Sequence, residues 1–211
     1  MLSSILRILS IWIVIIPFLV GIMNFKGLNR DSKWIFLLVV IALVPQVLTA
    51  IVAKETTLLN LSYNLYTPME FAVLYAVFFP KYRAASSRLI MQVSLGIYLA
   101  LCSYFFIRFG LEAKFLNGLV CTNHIIYMLW ILLLLKQEYS KDSMLIVKSN
   151  AFTWYLISII IYAPSTLIVF ALYYYIRDES SPVLMSLWII QSVCNILLYL
   201  LFSAGLLIRK T

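Results

Sequence analysis

The sequence contains little charge and few of the side chains that support catalysis or metal binding. Only 11% of its 211 residues are charged, compared with about 25% in a soluble domain. Its three cysteines all lie within apolar runs, and an odd number in such places is not the pattern of a disulfide framework. The chain is therefore neither an ordinary soluble protein nor a disulfide-stabilised scaffold.

Several functional classes are excluded by the absence of the residues they need. The last apolar run contains no lysine, so it cannot form the Schiff base of a retinal protein. The chain has no H-E-x-x-H, G-x-S-x-G or P-loop motif. The sequence thus predicts no cofactor and gives no support for an enzyme.

Apolar residues make up 64% of the chain and fall into runs bounded by charge. A transmembrane helix needs about 20 such residues to cross a hydrocarbon core of about 30 Å. The pattern predicts an all-α, polytopic integral membrane protein, a single domain over 1–211 formed by a bundle of seven transmembrane helices. The seven predicted spans are Ile8–Phe25, Trp34–Ala53, Ser62–Pro80, Leu89–Ile107, Phe115–Leu135, Ser149–Ile176 and Val183–Ile208.

The net charge of +8 results from basic residues that lie between the apolar runs. Five of the sixteen are on the side of the amino terminus: Arg7, Lys54, Arg108, Lys114 and Arg177. The other eleven are on the opposite side: Lys26, Arg30, Lys33, Lys81, Arg83, Arg88, Lys136, Lys141, Lys148, Arg209 and Lys210. Because lysine and arginine are retained in the cytoplasm, the split predicts an external amino terminus and a cytoplasmic carboxyl terminus in a bacterial inner membrane. The distribution of positive charge therefore indicates the lipid bilayer as the partner of the protein, and it predicts no nucleic-acid partner.

Three tryptophans lie near the predicted cytoplasmic ends of the helices. They are Trp34, Trp130 and Trp154. Because indole rings favour the headgroup region, all three are predicted to lie at the membrane interface.

Glu70 is the one formally charged residue that falls well inside a predicted span. An ionisable group at membrane depth costs a few kcal/mol unless it is paired. Tyr63, Tyr66 and Thr67 precede it on roughly the same helix face, where their hydroxyls could hydrogen-bond to the carboxyl group. Two interpretations remain open, a ligand or proton site and a carboxyl group that joins helices.

His124, the only histidine, lies near the middle of the fifth predicted helix. Cys121 precedes it at the Cys-x-x-His spacing of some metal sites, but no further soft ligand accompanies the pair. The sequence therefore predicts no metal. A hydrogen-bonded core histidine and a residue of a ligand cavity both remain open.

Polar side chains also recur at helical spacing in the last two predicted spans. The stripes are Tyr155, Ser158, Tyr162, Ser165 and Thr166, followed by Trp188, Gln191, Ser192, Asn195 and Tyr199. Such residues commonly join transmembrane helices. Several of them share one depth with polar groups of other helices, which favours a cavity that opens to the outside. The predicted ligand-binding residues are Gln46, Tyr66, Glu70, His124, Tyr162, Gln191 and Asn195.

Several short segments carry resemblances to known families. Ile16–Leu19, Trp34, Leu65–Phe71, Phe152–Tyr155 and Asn195–Leu197 together resemble a family of small seven-helix membrane proteins of Bacteroidota. Its members are often encoded near histidine kinases, so this resemblance implies a histidine kinase as a partner. Pro45 and Gln46 are similar to the Pro-Gln pair of PQ-loop transporters, although the second pair is absent. Pro68–Glu70 resembles part of the Pro-x-Glu-Glu segment of membrane lycopene cyclases, with Phe71 in place of the second acid.

The leading functional hypothesis is a receptor-like or sensory module that perceives a small ligand or a membrane state. Since no soluble output domain is visible in the sequence, a cytoplasmic partner would carry the signal, and the basic loop Lys136–Lys148 could contact it. The alternatives are a small-solute transporter, coupled to protons through Glu70, an intramembrane enzyme acting on a lipid or isoprenoid, and a structural subunit of a membrane complex.

Overall fold

The structure is a computed structural model that describes residues 2–51, 56–112, 115–139, 150–173, 176 and 182–208. Within those residues it is all α, with short 3₁₀ turns at Phe25–Gly27 and Phe79–Lys81. The helices are α1 Leu2–Trp12, α2 Ile15–Asn24, α3 Arg30–Ile51, α4 Thr56–Phe78, α5 Ala85–Phe109, α6 Asn117–Tyr139, α7 Ala151–Tyr173 and α8 Pro182–Leu207. Most of the loop Lys136–Lys148, to which the sequence assigned a docking role, lies outside the described residues.

Six helical stretches of the described chain are long and apolar enough to cross a membrane, which indicates a multi-pass membrane protein. They are Ile5–Gly27, Arg30–Ile51, Ala85–Phe109, Asn117–Gln137, Ala151–Tyr173 and Pro182–Leu207. The predicted third span is helical as well, since it coincides with α4, but α4 is not one of the six. Asn60, Asn64 and Glu70 contribute to its polarity.

The predicted first span is interrupted, a break that its apolar run does not indicate. Pro17 has no backbone N–H, so it cannot continue the helical hydrogen bond to the Ile13 carbonyl. That carbonyl instead accepts from the N–H of Ile16 at 3.0 Å, a tighter turn than that of an α-helix. The chain therefore forms two short helices, α1 and α2, separated at Ile13 and Val14.

Most helices pack on their neighbours along the chain; α4 packs on α3 and α6, and α1 and α2 pack against α8. We call the end of the bundle at which α1, α4, α6 and α8 begin the amino-terminal end. The other end, at which α3, α5 and α7 begin, is the closed end. Side chains of α4, α5 and α6 fill the interior there, with Phe71 stacked on Tyr98 at 3.9 Å between ring centroids.

Trp130 occupies the middle of this packed region and is fully buried. Its indole N–H donates to the Ser94 hydroxyl at 2.9 Å, and its carbonyl accepts from the Tyr82 hydroxyl. The prediction that Trp130 lies at the membrane interface is therefore wrong. Its position along the chain suited a headgroup residue, but its face of α6 is turned toward Phe71 and Tyr75 inside the bundle.

Polar contacts join the helix termini of the closed end. Lys81 pairs with Asp31, and its ammonium group also lies 4.7 Å from the centroid of the Phe152 ring. The side chain of Gln137 donates to the Lys81 carbonyl at 3.0 Å. The Tyr155 hydroxyl donates to Ser32 at 2.7 Å, which links α7 to the start of α3. These contacts keep α3, α4, α6 and α7 together at this end.

Helices α7 and α8 approach closely because Gly205 has no side chain. A Cβ atom built at this glycine would lie 2.3 Å from a ring carbon of Tyr155, well inside van der Waals contact. Tyr155 is itself fully buried and fixed by its bond to Ser32. The small residue therefore determines how near the two helices lie at the closed end.

Candidate functional site

A cavity of about 1310 Å³ occupies the half of the bundle at the amino-terminal end. Its wall there includes Arg7 of α1, Asn60 of α4 and Tyr173 of α7. It extends inward as far as Glu70 and Tyr199. Because α4 rises 1.5 Å per residue, Glu70 lies about 21 Å along this helix of 23 residues from its first residue, well inside the bundle.

All seven residues that the sequence predicts as ligand-binding line this one cavity. They come from five helices: Gln46 of α3, Tyr66 and Glu70 of α4, His124 of α6, Tyr162 of α7, and Gln191 and Asn195 of α8. Whether they bind a ligand remains a prediction. The shared wall does establish that they lie at one site.

Glu70 lies at the inner limit of the cavity and is 7% exposed. The Tyr66 hydroxyl donates to its Oε1 at 3.3 Å, from one turn earlier on the same helix. No other carboxylate of the described residues lines the cavity. Lys81–Asp31 is the only ion pair within the described part of the chain, so Glu70 has no cationic partner there.

A second, smaller void of about 10 Å³ lies beyond Glu70. Tyr66, Tyr162 and Tyr199 line both spaces together with Glu70, and Tyr127 joins them at the smaller one. This volume is close to the minimum that one water molecule requires. Tyrosine rings from four helices thus surround the carboxyl group and separate the cavity from the packed closed end.

His124 lies in the cavity wall and is 2% exposed. Its Nδ1 is 2.7 Å from the Val120 carbonyl, and because a carbonyl can only accept, Nδ1 carries the proton in this contact. Nε2 has no hydrogen-bond partner among the described residues. In the neutral imidazole this atom is an acceptor. Asn117 lies two turns of α6 closer to the amino-terminal end. Its Oδ1 is another buried acceptor at the cavity wall, and it has no partner among the described residues.

Gln191 joins α7 and α8 within the cavity wall. Its amide nitrogen, Nε2, donates to the Thr166 hydroxyl at 2.8 Å, and its Oε1 accepts from the Ser165 hydroxyl at 3.3 Å. One turn further along α8, the Asn195 amide donates to the backbone carbonyl and the hydroxyl of Ser10, at 2.9 and 3.0 Å. These two residues therefore join helices and also line the cavity. The sequence allowed either role, and both occur.

Two further residues support the cavity and were not identified from the sequence. Asn64, buried in α4, donates to the Leu111 carbonyl at 2.7 Å and accepts from the Leu116 N–H at 2.9 Å, so it fixes the connection between α5 and α6. Ser10 accepts the hydrogen bonds of the Asn195 amide and so joins α1 to α8. A sequence signal existed for Asn64, because Asn60, Asn64 and Thr67 recur at helical spacing. A lone serine in an apolar run gives no comparable signal.

The described residues do not include a group of three or more His, Cys, Asp or Glu side chains that could hold a metal ion. Cys121 is partly buried, but the cavity wall contains His124 without it. The chemistry that the wall offers is hydrogen bonding, one carboxyl group and aromatic contact. No protein-family model, curated protein or solved structure matches the chain.

Proposed function

We propose that this protein is a receptor-like membrane module that binds a small molecule in the cavity and passes the bound state to a cytoplasmic signalling protein. One observation carries the proposal: polar side chains of α3, α4, α6, α7 and α8 meet at one cavity. A ligand that contacts all of them would change the free energy of one helix arrangement relative to another. Membrane cavities with a few convergent polar groups are common ligand sites.

The proposed orientation places the amino-terminal end of the bundle, and with it the cavity, outside the cytoplasm. It is supported by the distribution of basic residues along the sequence, which assigns eleven of the sixteen to the side of the closed end. The protein would then lie in the inner membrane of a bacterium. In this arrangement the ligand enters from outside, and the helix termini at the closed end face the signalling partner.

The packing of the closed end favours a receptor over a transporter. Beneath Glu70 the interior contains Phe71, Tyr98 and Trp130, all fully or almost fully buried. A transporter must open its site to each side in turn, which would require this packed region to separate. A proton-coupled transporter nevertheless remains a second candidate, because the smaller void continues past the Glu70 carboxyl group.

Sidedness of cysteine labelling distinguishes these functions. In a background where Cys102, Cys121 and Cys194 are replaced by alanine, Ser192→Cys places a thiol in the cavity wall. We expect a membrane-impermeant maleimide to label it from outside intact cells and not from the cytoplasmic face of inverted vesicles. Ser203→Cys, on the same helix and buried near the closed end, is the control and should stay unlabelled from both sides.

Labelling of Ser192→Cys from both faces would favour the transporter. Labelling from neither face would contradict an accessible cavity, and labelling only from the cytoplasmic face would reverse the orientation.

The signalling part of the proposal has its own test. We expect a histidine kinase or another signalling protein to copurify with the full chain when native membranes are dissolved in a mild detergent. A helix bundle of the same host, purified in parallel, is the control for nonspecific association. If mass spectrometry finds no signalling protein above that control, the proposed output is wrong, although the cavity would remain a candidate binding site.

A further inference from the structure

The inner part of the cavity favours a ligand that is positively charged and donates hydrogen bonds, which narrows the class of ligand in the proposed receptor. Its one carboxyl group, Glu70, is buried and has no cationic partner among the described residues. Arg7, the only basic residue of the described chain that lines the cavity, is exposed in the middle of α1. The two charged groups of the wall do not form an ion pair with each other.

Unpartnered hydrogen-bond acceptors at the cavity wall also favour a ligand that donates hydrogen bonds. The buried atoms without a partner in the described chain at the wall of the large cavity are His124 Nε2 and Asn117 Oδ1, and at the smaller void the Tyr127 hydroxyl has none. An amide oxygen accepts hydrogen bonds, as does Nε2 of a neutral imidazole whose Nδ1 donates to a carbonyl. Buried acceptors without partners are costly. The two acceptors lie two turns of α6 apart, and an N–H donor of a ligand would suit either of them better than an acceptor.

Aromatic rings complete the surroundings of Glu70. Tyr66, Tyr162 and Tyr199 line the same inner part of the cavity as the carboxyl group. The faces of such rings attract a desolvated cation, and ammonium groups are commonly bound between aromatic side chains and a carboxylate. An anion at this position would be repelled by Glu70. A neutral alcohol would supply only one donor.

Part of the wall nearer the amino-terminal end is apolar and suits the remainder of such a molecule. Phe170 and Trp188 pack edge to face there at 5.9 Å, and Leu184 lines the cavity beside them. The volume of about 1310 Å³ exceeds the roughly 300–1,000 Å³ of common small-molecule sites. The cavity therefore has room for a sizeable apolar group as well as a charged head.

We propose that the cavity binds an organic ammonium ion with an apolar substituent, the ammonium group at Glu70 and the substituent against Phe170 and Trp188. This inference rests on the proposed ligand-binding function and specifies the ligand class. The ammonium N–H groups donate to the Glu70 carboxylate. The tyrosine rings shield the ion pair from water, which strengthens it.

Three probes of similar shape and different charge test the inference on the purified full chain in detergent micelles. They are 2-phenylethylammonium, neutral 2-phenylethanol and anionic 3-phenylpropanoate, titrated by calorimetry at pH 7. We expect the ammonium probe to bind at least tenfold more tightly than the alcohol, and the anion to bind weakest. The preference of the unmodified chain is itself a test that requires no variant to fold.

Matched variants then locate the preference. Glu70→Gln should reduce the ratio of ammonium to alcohol affinity to about one, because the amide keeps the shape and loses the charge. Glu112→Gln makes the same chemical change at an exposed carboxyl group outside the cavity wall and should leave the ratio unchanged. A ratio that persists in a folded Glu70→Gln protein would overturn the inference.

The remaining outcomes separate this inference from the proposed function. If the alcohol or the anion binds as tightly as the ammonium ion, the ligand class is wrong, while the cavity is still a binding site. If no probe binds, the ammonium inference is also wrong. The proposed function then depends on the labelling of Ser192→Cys, which uses no ligand.

Discussion

Trp130→Ala is expected to lower the free energy of unfolding by about 3–5 kcal/mol, the range for truncation of a large buried aromatic side chain. The indole is fully buried and lies 5.1 Å from the Phe71 ring and 5.8 Å from the Tyr75 ring, measured between centroids. Its removal leaves a cavity between α4 and α6 and deprives the Ser94 hydroxyl of its donor. Unfolding by sodium dodecyl sulfate in mixed micelles, followed by circular dichroism, measures the change.

Trp12→Ala is the matched control. Trp12 is 44% exposed at the end of α1, so the same substitution removes few protein contacts. We expect it to change the free energy of unfolding by less than about 1 kcal/mol. Equal losses for the two variants would show that Trp130 does not hold the closed end together. Trp130→Phe should fall between them, because it keeps an aromatic ring and loses the indole donor.

Asn64→Ala is expected to cost about 2–4 kcal/mol, since it leaves two backbone groups without their partner. Asn64 is 1% exposed, and Leu116, whose N–H it accepts, is 2% exposed. Without the amide, the connection that leads into α6 loses its attachment to α4. We expect faster hydrogen–deuterium exchange in the peptide covering 111–116, together with the loss of stability.

Asn60→Ala is the control for this prediction. Asn60 lies one turn earlier on α4, and its amide makes an exposed hydrogen bond of 3.3 Å to the Glu112 carbonyl. Water can replace that bond, so the expected loss is below about 1 kcal/mol and exchange in 111–116 should be nearly unchanged. If Asn60→Ala were as destabilising as Asn64→Ala, burial would not be the reason for the effect.

Polar residues were the part of the candidate site that the sequence could locate. In a chain this apolar, Glu70, His124 and Gln191 stand out, and helical spacing assigns each to a face and an approximate depth. That was sufficient to predict a common cavity wall. It could not determine which polar groups also bond to one another, because contacts such as Asn195 with Ser10 join helices far apart in the chain.

The helices themselves were predicted because apolar runs bounded by charge have a length that matches the membrane. The break at Ile13 was not, since a proline in an apolar run does not always interrupt the helix: Pro45, Pro68 and Pro164 lie inside continuous helices of the same chain. Trp130 was misplaced for a different reason. An indole suits both the headgroup region and a membrane protein's interior, and composition alone does not distinguish them.

The break between α1 and α2 has a consequence for biogenesis. These helices contain 11 and 10 residues, so each is about 15 Å long, half of the hydrocarbon thickness of about 30 Å. Neither could partition into a bilayer as a span of its own when it leaves the insertion machinery. The two must enter together as one hydrophobic unit, and this segment then docks on α8, which is synthesised much later.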